Sequence, residues 1–430
     1  MIPRRRNHPE LDSGSSQLEQ CLPHSMRDPV TKNPMENKES LIDEILSRGV
    51  AEVIDREHLK ARLLEGKPLR IKLGIDPTSP NIHIGRAVLL LKLRDFQALG
   101  HTAVFIVGDM TGVIGDTSDK ESERPMLTRE QVEGNMKSYL EQAFKILDPD
   151  KTETHYNSEW LSKLGFLELG KMASAFSLHE FSSREVIARR LSAGQRVSFH
   201  EMLYPLFQGY DSIAIKADVE LGGTDQRFNL LAGRTLQPKY EQEPQDILMT
   251  NLILGTDGRK MSSSWGNTIN LTDEPNDMFG KVMSVPDNLI TDYFVHCTRV
   301  PMAEIGKMAE EMVTGGNPRD AKVRLAKEIV RLYHGDAVAD QAEQYFIETF
   351  SKGAIPEEVR AVSVTEGTKL TDMLVDAGLS ESKGDARRKA EQGGVSIDGV
   401  KLAYDTVLTK EEHSDKVIKV GKKDFVKIVF

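Results

Sequence analysis

The chain has 430 residues, 39% of them hydrophobic and 28% charged, with a formal net charge of -10. That length predicts two or three domains with ample core, and no apolar run approaches the length of a membrane span. The negative balance excludes a protein that coats nucleic acid non-specifically. Two cysteines, Cys21 and Cys297, exclude a disulfide framework and a cysteine metal cluster, which fits a reducing cytoplasm.

Residues 1–38 are polar, rich in Pro, Ser and Arg, and read as a disordered extension. Arg4, Arg5 and Arg6 are basic, but no apolar core follows them, and Glu10, Asp12 and Glu19 speak against a transit peptide. Translation starting at Met26 or Met35 is equally compatible with this composition. Helices are predicted near Ser40 and Asp55.

Arg70 to Ile75 alternates charged and apolar residues, as a half-buried strand does. The loop Asp76-Pro77-Thr78-Ser79-Pro80-Asn81 can continue neither strand nor helix. From His83 an apolar face through Val88, Leu91 and Phe96 predicts a helix that stops at Gly100, and Thr102 to Val107 predicts the next strand. This βαβ unit implies a right-handed parallel crossover, with the helix N-terminus at residues 82–85 aimed at the carboxyl edge of the sheet. Such a terminus is a natural phosphate seat. The glycine-rich loop Gly108 to Arg124 follows; it carries Asp116, Lys120 and Arg124 and permits close backbone approach to a ligand.

Thr128 to Leu147 reads as one helix with a Thr128/Gln131 capping box and a stripe of Val132, Met136, Leu140, Phe144 and Leu147, a pattern of core or subunit interface. Ser198 to Asp211 reads as another capped helix. On it Tyr204, Gln208 and Asp211 stand at i, i+4 and i+7 and project from one face. A hydroxyl, an amide and a carboxylate on one face suit a ligand with an ammonium at one end and a phenol at the other. A stripe facing water is the plain alternative; the flanking Met202, Leu203, Leu206 and Phe207 argue for anchoring against the core. Pro205 is expected to bend this helix.

Ala217 to Gln226 predicts a strand entering a helix through Gly222 and Gly223, with Asp225 a candidate cap. Ile247 to Leu254 predicts a buried strand, followed by the Gly-, Asp- and Ser-rich loop GTDGRKMSSS. A lysine on such a loop can close over a triphosphate. Residues 271–350 are helical in pattern, and 351–366 reads as a linker. Residues 367–430 form a small domain whose Asp398-Gly399 marks a tight hairpin. From Thr365 to Phe430 there are twelve Lys+Arg and twelve Asp+Glu, so any charged surface there must come from one face.

Two motifs carry a resemblance. Gly-Ile-Asp-Pro-Thr leading to Pro-Asn-Ile-His83-Ile-Gly-Arg86 resembles the first signature of the class I aminoacyl-tRNA synthetases, and Lys260-Met261-Ser262-Ser263-Ser264 resembles the second. In order on a chain of this length, and with their flanking residues, they resemble the tyrosine–tRNA ligase family from about Ser40 to Phe430. Arg86 and Ser263 depart from the usual histidine and lysine.

The resemblance implies an α/β architecture: a Rossmann-like, doubly wound parallel-sheet catalytic domain at 39–270 with a helical dimer-interface insertion, an all-helical anticodon-side domain at 271–350, and a small α+β RNA-binding domain at 367–430. It implies L-tyrosine, ATP with Mg2+ as a substrate complex, tRNA(Tyr) and a second copy of the chain as partners, no protein-bound metal, and a bacterial-type cytoplasmic enzyme. By resemblance, Asp116, Tyr204 and Gln208 hold the tyrosine ammonium and Asp211 the phenol, with Lys72 at the position of a second phenol partner. Asp76, Thr78, His83, Gly85, Gly223, Asp225, Gln226, Lys260 and Ser263 belong to the ATP site. Lys120 and Arg124 lie on its phosphate side, and Lys383, Arg387 and Arg388 face tRNA. His83, Arg86, Lys260 and Ser263 are the candidate catalytic set. Arg86 is longer than histidine and always charged, yet able to donate to a phosphate or ribose oxygen; slower adenylate formation than in an Arg86→His variant is expected. A degenerate synthetase that keeps only RNA binding is the alternative raised by Arg86 and Ser263, and a tryptophan-specific relative is disfavoured by Asp211.

Overall fold

A computed structural model describes residues 34–116, 126–351, 359–397, 400–421 and 424–430. Residues 1–33 of the expected extension, Lys120 and Arg124, residues 352–358 of the expected linker and the Asp398-Gly399 turn lie outside the described residues. Contacts divide the chain into two units, one ending at Ala339 and the other Asp340–Phe430.

In the first unit, six strands form one sheet: β1 (Val50–Ile54), β2 (Arg70–Ile75), β3 (Thr102–Val107), β4 (Thr152–Tyr156), β5 (Val219–Gly223) and β6 (Asp246–Thr250). Their order is β1-β6-β5-β2-β3-β4, parallel throughout except for β1, which runs antiparallel along β6 at the edge. Strands β3, β5 and β6 are almost wholly buried, as expected where helices cover both faces of a parallel sheet. The doubly wound fold expected from the resemblance is therefore present. Strands β1 and β4 are additions to the sequence reading.

The first strand, helix and second strand fall where the pattern placed them. The signature helix is Ile84–Ala98, with His83 as its N-cap and Gly100 in the left-handed region at φ 90°. The helix carrying Tyr204, Gln208 and Asp211 is Phe199–Ile215; its capping box joins Ser198 and Glu201, and it runs on through Pro205.

The expected single helix over 128–147 is instead two, Arg129–Met136 and Tyr139–Ala143. The break lets polar side chains turn onto the signature loop. Asn135 donates to the Pro77 carbonyl at 2.9 Å. Gln142 donates to the Pro80 carbonyl at 3.0 Å and accepts from the Ile82 amide at 2.7 Å. A buried backbone loop needs such partners, and this segment supplies them.

Helix Ile290–Cys297 packs against the signature helix, within the unit that ends at Ala339. Arg299 forms a two-bond ion pair with Asp95 on the signature helix (2.9 and 2.7 Å), and Arg48 caps the carbonyls of Phe294 and Thr298.

The second unit has a five-stranded sheet, ordered β7-β11-β10-β8-β9, of β7 (Arg360–Ser363), β8 (Val395–Ile397), β9 (Val400–Lys401), β10 (Val417–Val420) and β11 (Asp424–Val429). Helices Leu370–Asp376 and Lys383–Glu391 pack on its core of Leu370, Leu374, Ile418 and Ile428.

Candidate active site

The crevice lies where β2 and β5 are neighbours and their connections leave in opposite directions, the point at which a doubly wound sheet makes room for a ligand. Gly74 and Asp76 line it from β2, Gly108 and Thr111 from the turn after β3, and Leu221 and Gly222 from β5. Tyr204, Gln208 and Asp211 line it from the long helix, and Gln226 closes one side. The spacing of those three side chains thus brings them to one cavity.

At the deep end, Asp211 is buried, 4% exposed. Its Oδ1 accepts from the indole N–H of Trp160 at 2.7 Å and its Oδ2 from the Asn157 amide at 3.3 Å. Burial pushes the carboxyl up to about 7, opposed by the charge of Lys72 and by those two donors. Asp76 accepts from the Tyr204 hydroxyl at 2.8 Å and from Thr111 at 2.7 Å, and loss of surrounding water lifts it to about 6. Asp116 accepts from the side-chain amides of Gln226 and Asn229.

Lys72 requires a correction. It does not line the crevice but lies fully buried beneath it, its ammonium 2.8 Å from Glu220 and donating to the Gln208 carbonyl and the Ser212 hydroxyl, each at 2.8 Å. A buried ammonium needs such oxygens, and serving them leaves it no reach toward a ligand.

At the shallow end, His83 is buried and its Nδ1 has no hydrogen-bond partner. Burial, with Arg86 and Lys260 nearby, pushes the imidazole down to about 3, so the ring is neutral at neutral pH. A Cβ on Gly85 would stand 3.0 Å from that ring and 3.3 Å from the Met261 sulfur, which accounts for a glycine between them.

Arg86 turns inward to the loop. It donates to the Asp76 carbonyl at 3.2 Å, the Tyr139 hydroxyl at 2.9 Å and the Thr78 hydroxyl at 2.9 Å. The guanidinium thus holds the loop that carries Asp76 and Thr78.

The second signature loop comes down on the same end. Lys260 reaches Asp225 at 3.1 Å, and the Ser263 hydroxyl faces Ser79 at 3.4 Å. Asn267 ties the loop together by donating to Asp257 and the Lys260 carbonyl and accepting from the Ser262 amide. Asp225 sits in a 3-10 turn, Thr224–Gln226, and is not the cap of helix Arg227–Leu236. A side chain on Gly223 would meet the Asp225 carboxylate at 2.6 Å.

In the second unit Lys383, Arg387 and Arg388 are exposed, each in an ion pair, with Asp372, Glu391 and Asp385 respectively. Surface pairs of this kind contribute little stability, so the cations can exchange partners.

Sequence reading missed Trp160, Asn157, Thr111, Tyr139 and Glu220. Asn157 and Trp160 follow the alternating run Thr152–Tyr156 at i and i+3, a strand-to-helix signal open to the same reasoning; Glu220 inside an apolar strand is another.

The sheet and the site together describe a crevice at the switch point of a doubly wound parallel sheet, lined by Asp76, Tyr204, Gln208 and Asp211. Residues 64–351 match the family described as tRNA synthetases class I (W and Y), and residues 351–428 the tyrosine–tRNA ligase SYY-like C-terminal domain. A tyrosine–tRNA ligase of Carboxydothermus hydrogenoformans is 48% identical over 399 residues, covering 90% of this chain and 97% of that protein. That of Thermotoga maritima is 46% identical over 389 residues, covering 89% and 96%. Among solved structures, a C-terminally truncated mitochondrial tyrosyl-tRNA synthetase of Coccidioides posadasii shares the fold, with a TM-score of 0.59 and 23% identity over 72% of this chain and 95% of its own. The chain belongs to the class I tRNA synthetases for tryptophan and tyrosine, and within them to the tyrosine–tRNA ligases.

Proposed function

We propose that this chain attaches L-tyrosine to tRNA(Tyr) in two steps. The tyrosine carboxylate attacks the α-phosphorus of ATP, forming tyrosyl-adenylate and releasing pyrophosphate. A ribose hydroxyl at the tRNA 3′ end then takes the tyrosyl group and AMP leaves. The observation that carries this reading is the buried carboxylate of Asp211 lining a crevice that Gln226 also lines, with Lys260 paired to the neighbouring Asp225 and close to His83.

Neither step needs a covalent enzyme intermediate, so the residues work by positioning and by stabilising charge. Asp211 accepts the phenol hydroxyl. Phenylalanine would leave that buried carboxylate without a partner in the pocket, which disfavours it. Tyr204, Gln208 and Asp116 receive the ammonium, with Asp76 behind Tyr204. Gln226, Asp225 and the bare backbone at Gly223 take the adenosine and ribose. His83, a neutral donor at the start of a helix, and Lys260 stabilise the phosphates, with Thr78, Gly85 and Ser263 at the same mouth. Magnesium enters with ATP. Arg86 serves through the loop it holds.

Lys383, Arg387 and Arg388 offer tRNA an exposed cationic face. Phe166, Leu167, Leu178 and Phe199, 87%, 85%, 70% and 72% exposed in the segment between β4 and β5, suit a homodimer contact. A cytoplasmic location fits the reaction. The test is charging of tRNA(Tyr) with labelled tyrosine: activity is expected in the wild-type chain and a loss of about a hundredfold in His83→Ala or Lys260→Ala. A folded wild-type chain that binds tRNA(Tyr) without charging it would favour the non-catalytic alternative.

A further inference from the structure

Strands β2 and β5 meet at the switch point in a register that sets Lys72 directly opposite Glu220. Both side chains are fully buried, 0% and 1% exposed, and the pair stands 2.8 Å apart. Four more bonds radiate from it into the long helix. Lys72 donates to the Gln208 carbonyl and to the Ser212 hydroxyl, both at 2.8 Å. Glu220 accepts from the Gln208 side-chain amide and from the Ser212 hydroxyl, both at 3.1 Å. Gln245, just before the neighbouring strand β6, also donates to Glu220. A buried ion pair is weak evidence for stability, because apolar residues of similar volume often serve as well. A pair placed under two crevice residues is better explained by what it does to them.

We propose that Lys72 and Glu220 are positioning residues for amino-acid selection: the pair fixes the Gln208 side chain and sets the charge beneath Asp211, without touching the ligand. This deepens the reading of the crevice as a tyrosine pocket and rests on it. Glu220 holds the Gln208 side-chain amide, while Lys72 holds the backbone carbonyl of the same residue and so the helix turn that carries it. Asp211 is faced by Lys72 from β2, Glu220 from β5, and Trp160 and Asn157 from the end of β4, with Tyr204 nearby on its own helix. Of the two charges in the pair, Lys72 acts on Asp211 more strongly, and Glu220 acts in the opposite sense.

Two variants of the full chain test this by pyrophosphate–ATP exchange across pH 5.5–9. Glu220→Gln keeps the shape and three acceptors for Lys72 but removes the negative charge. The limb of kcat/KM for tyrosine near pH 7 is expected to move down. Lys72→Met combined with Glu220→Gln removes both charges, and the limb is expected to move up. In the double variant the KM for tyrosine rises tenfold or more and the preference over phenylalanine falls, while the KM for ATP stays within twofold. A purely structural pair would shift both limbs in one direction or raise both KM values together, and either result overturns the proposal. If the double variant does not fold, the downward shift in Glu220→Gln decides alone, and an unmoved limb there overturns it. Absence of tyrosine-dependent exchange in the wild-type chain would instead overturn the tyrosine-pocket reading itself.

Discussion

The indole N–H of Trp160 donates to Asp211 at 2.7 Å, so the carboxylate at the floor of the crevice is held from behind by a residue outside the helix that carries it. A donor to the ionised form favours ionisation. Trp160→Phe keeps the ring and removes the N–H. It is expected to cost about 1 kcal/mol in the interaction, a five- to tenfold loss of kcat/KM for tyrosine at pH 7. The loss should shrink by pH 9, where Asp211 is ionised in either protein. A deficit unchanged from pH 7 to pH 9 would contradict this.

Asp211 also links pH to stability. Its folded pKa, about 7, lies above the ordinary carboxylate value. A raised carboxylate contributes stability that is full below the unfolded pKa and is lost as pH rises through the folded one. Asp211→Asn does not titrate, so its melting temperature should gain on wild type between about pH 4 and pH 7 and hold that gain above. Thermal unfolding at pH 5, 7 and 9 measures it. A gap between the two proteins that ignores pH would show that Asp211 does not titrate in this window.

Arg86 reverses an expectation drawn from its charge. With its guanidinium on Asp76, Thr78 and the Tyr139 hydroxyl, it braces the loop of the first signature. Arg86→His should therefore slow adenylate formation, with a ten- to hundredfold rise in the KM for ATP from the loss of charged hydrogen bonds. Tyr139→Phe removes one of those bonds and should cost about fivefold. Rates in Arg86→His equal to or above wild type would restore the view that the arginine is a handicap.

These cases mark what the sequence could and could not carry. The βαβ unit was legible because strand alternation, turn residues and helix periodicity agreed over Arg70–Val107. The Tyr204, Gln208 and Asp211 set was legible because helical spacing alone decides a shared face. Lys72 was misplaced because strand position says where a residue sits but not which way a long side chain turns for partners. Glu220, its opposite number, is distant in sequence, and only sheet register brings the two together. The break after Met136 was hidden for a similar reason: the side chains of Asn135 and Gln142, on the two helices it separates, serve a loop more than fifty residues earlier.

Pyrophosphate–ATP exchange with tyrosine, phenylalanine and tryptophan in turn tests the central claim most directly. The carboxylate of Asp211 beneath the crevice predicts exchange that depends on tyrosine, with phenylalanine and tryptophan at least a hundredfold weaker in kcat/KM. Exchange supported equally by phenylalanine, or better by tryptophan, would contradict it.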